Sequence, residues 1–319
     1  VATEAQAQAG FDALSGEAYA TMASGTLQAS RYPREAMLGQ DSGSGLNRWA
    51  STYGGMMSLG SDGNAAAARA YAGGLIAGID KGFSTGFGTA WLGASLHGGM
   101  TRLAVADRNT TVSSNDLGAG IYGGAEMGAT GIRFGANYTM HQISSSRQVN
   151  IGGFSDHLTA SYTGGTAQIF GELSYGFDMA GATITPFAGA AYLYDWTDGF
   201  TETGGAAALS VASASNTALI TTLGATVEHE LNLNGQTATL SGTLGWRHAF
   251  GATPSIAASF AGGNEFSIAG TPIAGDALLL GAGVRFEMET GAMLDLSYSG
   301  EIGSTSSDHK LAAALKMSF

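Results

Sequence analysis

The chain has 319 residues, with 51 Gly, 4 Pro, no Cys and a formal net charge of −12. The absence of Cys excludes a disulfide framework and thiolate metal sites, and the negative charge argues against nucleic acid, which needs a basic footprint. Charged residues make up only 12% of the chain, against about 25% in soluble domains. No apolar run approaches the ~18 residues that a transmembrane helix needs. Low charge without a spanning helix fits a membrane β-barrel, whose lipid-facing and luminal residues alternate.

The chain opens on Val1-Ala2-Thr3-Glu4, without the basic start and apolar stretch of a secretory signal. A barrel of this kind requires export, so the expected context is a mature piece or a fragment. Ala5 to Ser30 is rich in Ala and in good helix formers. Phe11, Leu14, Ala18 and Met22 recur at three- or four-residue steps, which gives an amphipathic helix with one apolar stripe. Pro33 is expected to end or kink it, with Arg34 to Leu38 as a short continuation. Asp41 to Gly45 reads as a flexible joint.

From Leu46 onward there are about twelve segments of the length that a tilted barrel strand requires. They run over residues 46–59, 70–80, 86–97, 117–127, 131–143, 166–177, 182–196, 217–231, 236–250, 278–288, 293–302 and 308–319. Every other connection is a tight turn. The intervening ones, at 98–116, 144–165, 197–216 and 251–277, are read as long loops. Short periplasmic turns alternating with longer external loops mark an outer-membrane barrel. An even strand count places the first strand's start at the periplasm, so the helix before it has its simplest path through the lumen. The expected organisation is therefore a linker and luminal helix at 1–45 and an all-β, twelve-stranded antiparallel barrel at 46–319.

The faces separate cleanly in several segments. Ile132, Phe134, Ala136, Tyr138 and Met140 oppose Arg133, Gly135, Asn137 and Thr139. Leu278, Leu280, Ala282, Val284 and Phe286 oppose Arg285 and Glu287. In the last segment Leu311, Ala313, Leu315, Met317 and Phe319 share the apolar face. A Lys or Arg on the lipid face near the midplane costs about 2–4 kcal/mol. By this parity Glu126, Arg133, Glu172, Glu228, Glu230, Arg247, Arg285, Glu287, Asp295, Lys310 and Lys316 line the lumen. His229 and His248 fall on the outer face, at the rims. The third and seventh segments show no clear parity.

Other motifs carry little. Gly118 to Gly123 matches a dinucleotide fingerprint, but it reads as a strand with no helix after it. Gly74 to Gly78 matches a helix-pairing motif in a strand setting. Ser155-Asp156-His157 reads as a polar external loop, since triads assemble across a fold. No hydrolase or zinc motif is present.

A helix, a hinge and twelve strands ending in Phe319 together resemble the translocator β-domain of autotransporters (type V secretion). The likeness rests on Phe11 to Glu17, Ser30 to Arg34, Trp49, Tyr53-Gly54-Gly55, Gly171 to Tyr175, Leu294 to Gly300 and Leu315 to Phe319. It implies an outer-membrane domain of a Gram-negative bacterium that carries its own amino-terminal passenger to the surface. Its helix, with Leu14, Glu17, Met22, Arg31 and Arg34, links passenger to barrel and plugs the pore. The wall residues Glu126, Arg133, Glu172, Arg247, Arg285 and Asp295 face it, and Arg31 and Arg34 are expected to pair with carboxylates such as Glu126, Glu172 or Asp295. Leu315, Met317 and Phe319 serve as an assembly signal. Implied partners are the barrel assembly machinery, periplasmic chaperones and outer-membrane lipid, with no cofactor, no catalysis and a monomeric state. Some relatives release the passenger through an Asn in the helix, but here no Asn precedes Asn47. A solute channel is the alternative, and an outer-membrane enzyme a third reading.

Overall fold

The computed structural model describes every residue except Val1, Ala2, Ser42, Asn234, Gly235, Ala252, Thr290 and Phe319. For residues 4–7, 9 and 233 it describes the backbone alone. No helix among the described residues is long and apolar enough to cross a membrane. The chain crosses with strands.

Among the described residues, twelve long antiparallel strands close into a barrel. They are β1 Gly45–Leu59, β2 Ala68–Thr85, β3 Gly88–Val105, β4 Thr110–Met127, β5 Thr130–Ile151, β6 Phe154–Tyr175, β7 Ala182–Thr197, β8 Ala214–Leu233, β9 Gln236–Phe250, β10 Asp276–Glu287, β11 Met293–Gly303 and β12 Ser306–Ser318. Each pairs with its neighbour in sequence, and β12 closes on β1 from Asn47↔Ser318 to Leu59↔Ser306. Closure removes the unpaired edges that lipid could not satisfy. The three residues Phe177–Met179 add a short pairing beside β7.

The outward series on β5 shows why this sequence makes a spanning wall. Phe134 and Tyr138 are about half exposed, as are Ile169 and Leu173 on β6. Facing lipid, such side chains lose nothing by exposure. Beyond Met140 the outward residues turn polar (Gln142, Ser144, Gln148, Asn150), while Ile143 and Val149 turn inward and are buried. The hydropathy of the two faces thus inverts above the membrane. The expected loops at 98–116 and 144–165 are, for this reason, mostly strand. β3 and β4 are joined through the short turn Ala106–Arg108, and β5 and β6 through Gly152 and Gly153.

The segments at 197–216 and 251–277 do leave the wall. Phe200–Thr201, Leu209–Val211, Ser255–Phe260 and Phe266–Ala269 pair into a separate four-stranded antiparallel sheet over the external mouth.

The amino-terminal segment forms three helices: α1 Glu4–Leu14, α2 Glu17–Ala29 and α3 Arg31–Leu38. The break falls at Gly16, whose φ of +70° suits a residue without Cβ. Pro33 does not end the helix. It sits in the first turn of α3, where a missing N–H costs little, and Ser30 between α2 and α3 keeps helical angles (φ −59°, ψ −19°). Helices α2 and α3 therefore run on as one rod about 33 Å long at ~1.5 Å per residue, enough to thread the wall from end to end.

Candidate functional site: the plugged lumen and its external cap

Every residue of α2 from Glu17 to Gln28 is buried. A helix buried on all sides is normally apolar, yet this one carries Glu17, Thr21, Ser24, Thr26 and Gln28. Each of these side chains meets at least one fixed partner, as burial demands, although Gln28 Oε1 has none among the described residues. Glu17 accepts the N–H of Ala66 at 2.8 Å and faces the Arg108 guanidinium at 3.1 Å. Ser24 donates to the Thr271 carbonyl at 2.6 Å, and Thr271 N–H donates back to Thr21 at 3.1 Å. Thr26 donates to Asp195 at 3.1 Å, and Gln28 to Glu301 at 3.0 Å.

The partners of Glu17, Thr21 and Ser24 belong to the connections β1–β2, β3–β4 and β9–β10, which lie at the external mouth. At the other end Asp41 meets Lys316 at 3.0 Å and Arg285 at 3.3 Å, next to the periplasmic start of β1. The rod therefore points its amino terminus outward. In the first external connection, Asp62 accepts the N–H groups of Ala65 and Asn64, which hold its carboxyl below the ordinary carboxylate range.

The tightest cluster lies where α1 meets α2. Arg147 of β5 and Glu202 of the cap are both almost fully buried. Arg147 Nε donates to Glu202 at 2.9 Å, and its other nitrogens reach the carbonyls of Ala13 (2.9 Å) and Ala207 (3.0 Å). The Tyr19 hydroxyl donates to Glu202, and its ring meets Phe200 edge-on at 4.9 Å. Phe200 stacks on Tyr162 at 4.0 Å. Leu14 packs against the buried trio Val149, Leu158 and Ala207. One cluster thus joins wall, cap and plug.

Lower in the lumen Arg31 donates to Asp308 and Glu35, each at 2.6 Å, and Tyr32 donates to the other oxygen of Asp308 at 2.7 Å. A Cβ at Gly55 would stand 2.1 Å from the Tyr32 hydroxyl, so a glycine makes room for this ring. Arg34 donates to Gln168 at 2.7 Å. These partners differ from the expected Glu126, Glu172 and Asp295. Those carboxylates lie nearer the periplasm and are met by other cations: Arg133 faces Glu126 at 3.2 Å and Glu172 at 3.8 Å, and Arg285 faces Asp295 at 3.4 Å. Arg247 sits higher, where it pairs with Glu301 at 3.0 Å and donates to the cap carbonyl of Ala274 at 3.1 Å.

Met22 is buried, and Leu315 and Met317 are exposed on the outer face of β12. Phe319 lies outside the described residues. The glycine-rich match at 118–123 lies within β4 and that at 74–78 within β2. Sequence parity missed Arg147, Glu202, Tyr19 and Asp308. Arg147 sits on the inward parity of β5, so extending the alternation past Ile143 places it in the lumen.

A twelve-stranded barrel threaded by its own amino-terminal rod defines a class, the plugged outer-membrane translocator. The comparisons agree. The autotransporter beta-domain family matches residues 48–299, and the chain belongs to that family. An extracellular serine protease of Serratia marcescens is 30% identical over 325 residues, covering 96% of this chain and 30% of the relative. The chain thus spans about a third of that relative's length. Among solved structures, the translocator domain of the autotransporter NalP from Neisseria meningitidis superposes with a TM-score of 0.74 at 19% identity, covering 94% of this chain and 97% of that one. The β-domain of the Bordetella autotransporter BrkA gives 0.66 at 20% identity, covering 86% and 100%. The chain is an outer-membrane translocator domain of a Gram-negative bacterium.

Proposed function

We propose that residues 1–45 form the link to an amino-terminal passenger and plug the pore, while residues 46–319 form the barrel that holds the passenger at the surface. The observation that carries this reading is the direction of α2–α3. With its amino terminus at the external mouth, anything upstream of Val1 is delivered outside. Leu14, Glu17, Met22, Arg31 and Arg34 act as plug contacts. Glu126, Arg133, Glu172, Arg247, Arg285 and Asp295 form the charged wall. The barrel itself has no catalytic role, and any enzymatic activity resides in the passenger. The name of the Serratia relative favours a secreted protease there. Without an Asn in the plug, the passenger stays attached or is cut by a separate protease.

Insertion uses the barrel assembly machinery after chaperoned transit, with Leu315, Met317 and Phe319 as the recognition strip, and yields a monomer. Deleting Phe319 is expected to reduce heat-modifiable barrel in outer-membrane fractions. The central test fuses an export signal and an epitope-tagged reporter upstream of Val1. In intact cells the tag should be cleaved by added protease. A protected tag, reached only after outer-membrane lysis, would overturn the reading. The channel alternative is separated in planar bilayers, where a plugged lumen passes little current and a solute channel passes a large steady one.

A further inference from the structure

The chain holds 13 Lys and Arg residues. Among the described residues, those that project from the outer wall are Arg48, Arg69, Lys81 and Arg102, and all lie on the adjacent strands β1–β3. Arg48 and Lys81 stand toward the periplasmic end. Arg69 and Arg102 stand toward the external end, at a defined level. The outward series changes from apolar to polar between Tyr71 and Arg69 on β2, between Met100 and Arg102 on β3, and between Leu117 and Asn115 on β4. Both arginines are thus the first polar outward residues above the lipid band.

They also converge. The register sets Arg69 opposite Ala104 and Tyr71 opposite Arg102, which makes the two arginines diagonal neighbours about 7–8 Å apart. Both are exposed, and neither has a hydrogen bond or ion pair to the described protein. Beneath them Tyr71 (54% exposed) and Met100 (62% exposed) offer an apolar floor. Two planar donor forks at diagonal positions on adjacent strands suit a phosphate, which guanidinium binds through paired hydrogen bonds. Acyl chains attached to that phosphate would run down the apolar wall below. A soluble anion would leave the floor unused, and a neutral headgroup would leave the arginines unused.

We propose that Arg69 and Arg102 hold the phosphate of an anionic lipid in the external leaflet, with its chains against Tyr71 and Met100. The site faces away from the lumen, so passenger display by a variant lacking it is expected to be unchanged, which separates a failure here from a failure of the translocator reading. The test is native mass spectrometry of the purified full chain, in detergent, with bisphosphorylated lipid A as probe. Wild type should retain the lipid. R69A/R102A should lower retention about tenfold or more, the loss expected for charged hydrogen bonds, and R69Q/R102Q should fall similarly. R48A/K81A should retain the lipid as wild type does. Heat-modifiable migration verifies that each variant is a folded barrel. Equal retention by R69A/R102A, equal retention of a dephosphorylated lipid A, or displacement of lipid A by inorganic pyrophosphate would each overturn the proposal.

Discussion

The two halves of the lumen solve the same problem differently. In the external half, α2 is buried on every side, the cap folds over it, and its polar side chains each hold at least one hydrogen-bonded or ionic partner. In the periplasmic half, only Arg31, Tyr32, Pro33 and Met37 of α3 are buried. Beside α3 opens a vestibule of about 620 Å³ lined by Glu126, Arg133, Glu172, Glu228 and Arg285. Buried charges must be paired and hydrogen-bonded to persist, whereas solvated ones need nothing. The external half is therefore the seal, and the periplasmic half opens into a wet funnel below the Arg31–Tyr32–Asp308 contact.

That contrast breaks most sharply at Arg147. R147A leaves Glu202 buried without its cation, at a cost of about 3–5 kcal/mol. The loss should appear as a lower unfolding temperature of the heat-modifiable barrel in detergent. An apolar pair, R147M/E202L, should recover most of it, because two well-packed apolar groups replace a buried ion pair at little cost. A wild-type unfolding temperature for R147A would show that water reaches Glu202 and that the mouth is not sealed. Next comes Y32F, placed where dry lumen gives way to wet. It deletes the hydrogen bond to the Asp308 carboxylate that also accepts from Arg31, and bonds to charged groups are worth about 1.5–3 kcal/mol. Calorimetric or urea unfolding of the variant reads this directly, and no change would show that the Asp308 carboxylate is solvated.

How much of this was legible follows the same division. Alternation on β5, β10 and β12 exposed the wall because lipid outside and water inside impose opposite demands on neighbouring residues. It failed on β7, where Ala191 and Leu193 face inward against the plug and are buried. There the luminal face is apolar too, so no contrast remains. It failed again above the membrane, where Gln148 and Asn150 point out while Val149 points in. A reader expecting greasy-out residues sees a loop. The cap was not legible at all, because strands of two to six residues such as Phe200–Thr201 and Ser255–Phe260 carry too short a pattern. The rod was legible from its composition. Its partners were not, since which carboxylate Arg31 meets depends on the helix's depth and rotation, and neither leaves a trace in a linear pattern.

The cap–plug contact provides a smaller probe of the sealed half. A Cβ at Gly270 would lie 2.4 Å from the backbone of Ala20 and Thr21. G270V therefore overpacks the joint by about 1–3 kcal/mol and should speed proteolytic nicking between residues 251 and 275. G275V, where a Cβ meets nothing within 4 Å, should nick at the wild-type rate. Equal rates for the two variants would mean that the cap rides free of α2.

The smallest effect belongs to the funnel, and its smallness is what distinguishes the two halves. Arg133 is 23% exposed and faces the half-exposed Glu126 at 3.2 Å. Arg285 is 31% exposed beside Asp41 and Asp295. Solvated pairs of this kind contribute about 0–1 kcal/mol. Mobile ions screen exposed charges beyond ~8 Å at physiological salt. R133A and R285A should each shift the unfolding midpoint slightly at low salt and by less at physiological salt, while the R147A loss stays constant across the same series. A salt-independent loss at Arg133 as large as that at Arg147 would mean that the periplasmic half is as dry as the external one, and the lumen would then be sealed along its whole length rather than at its mouth.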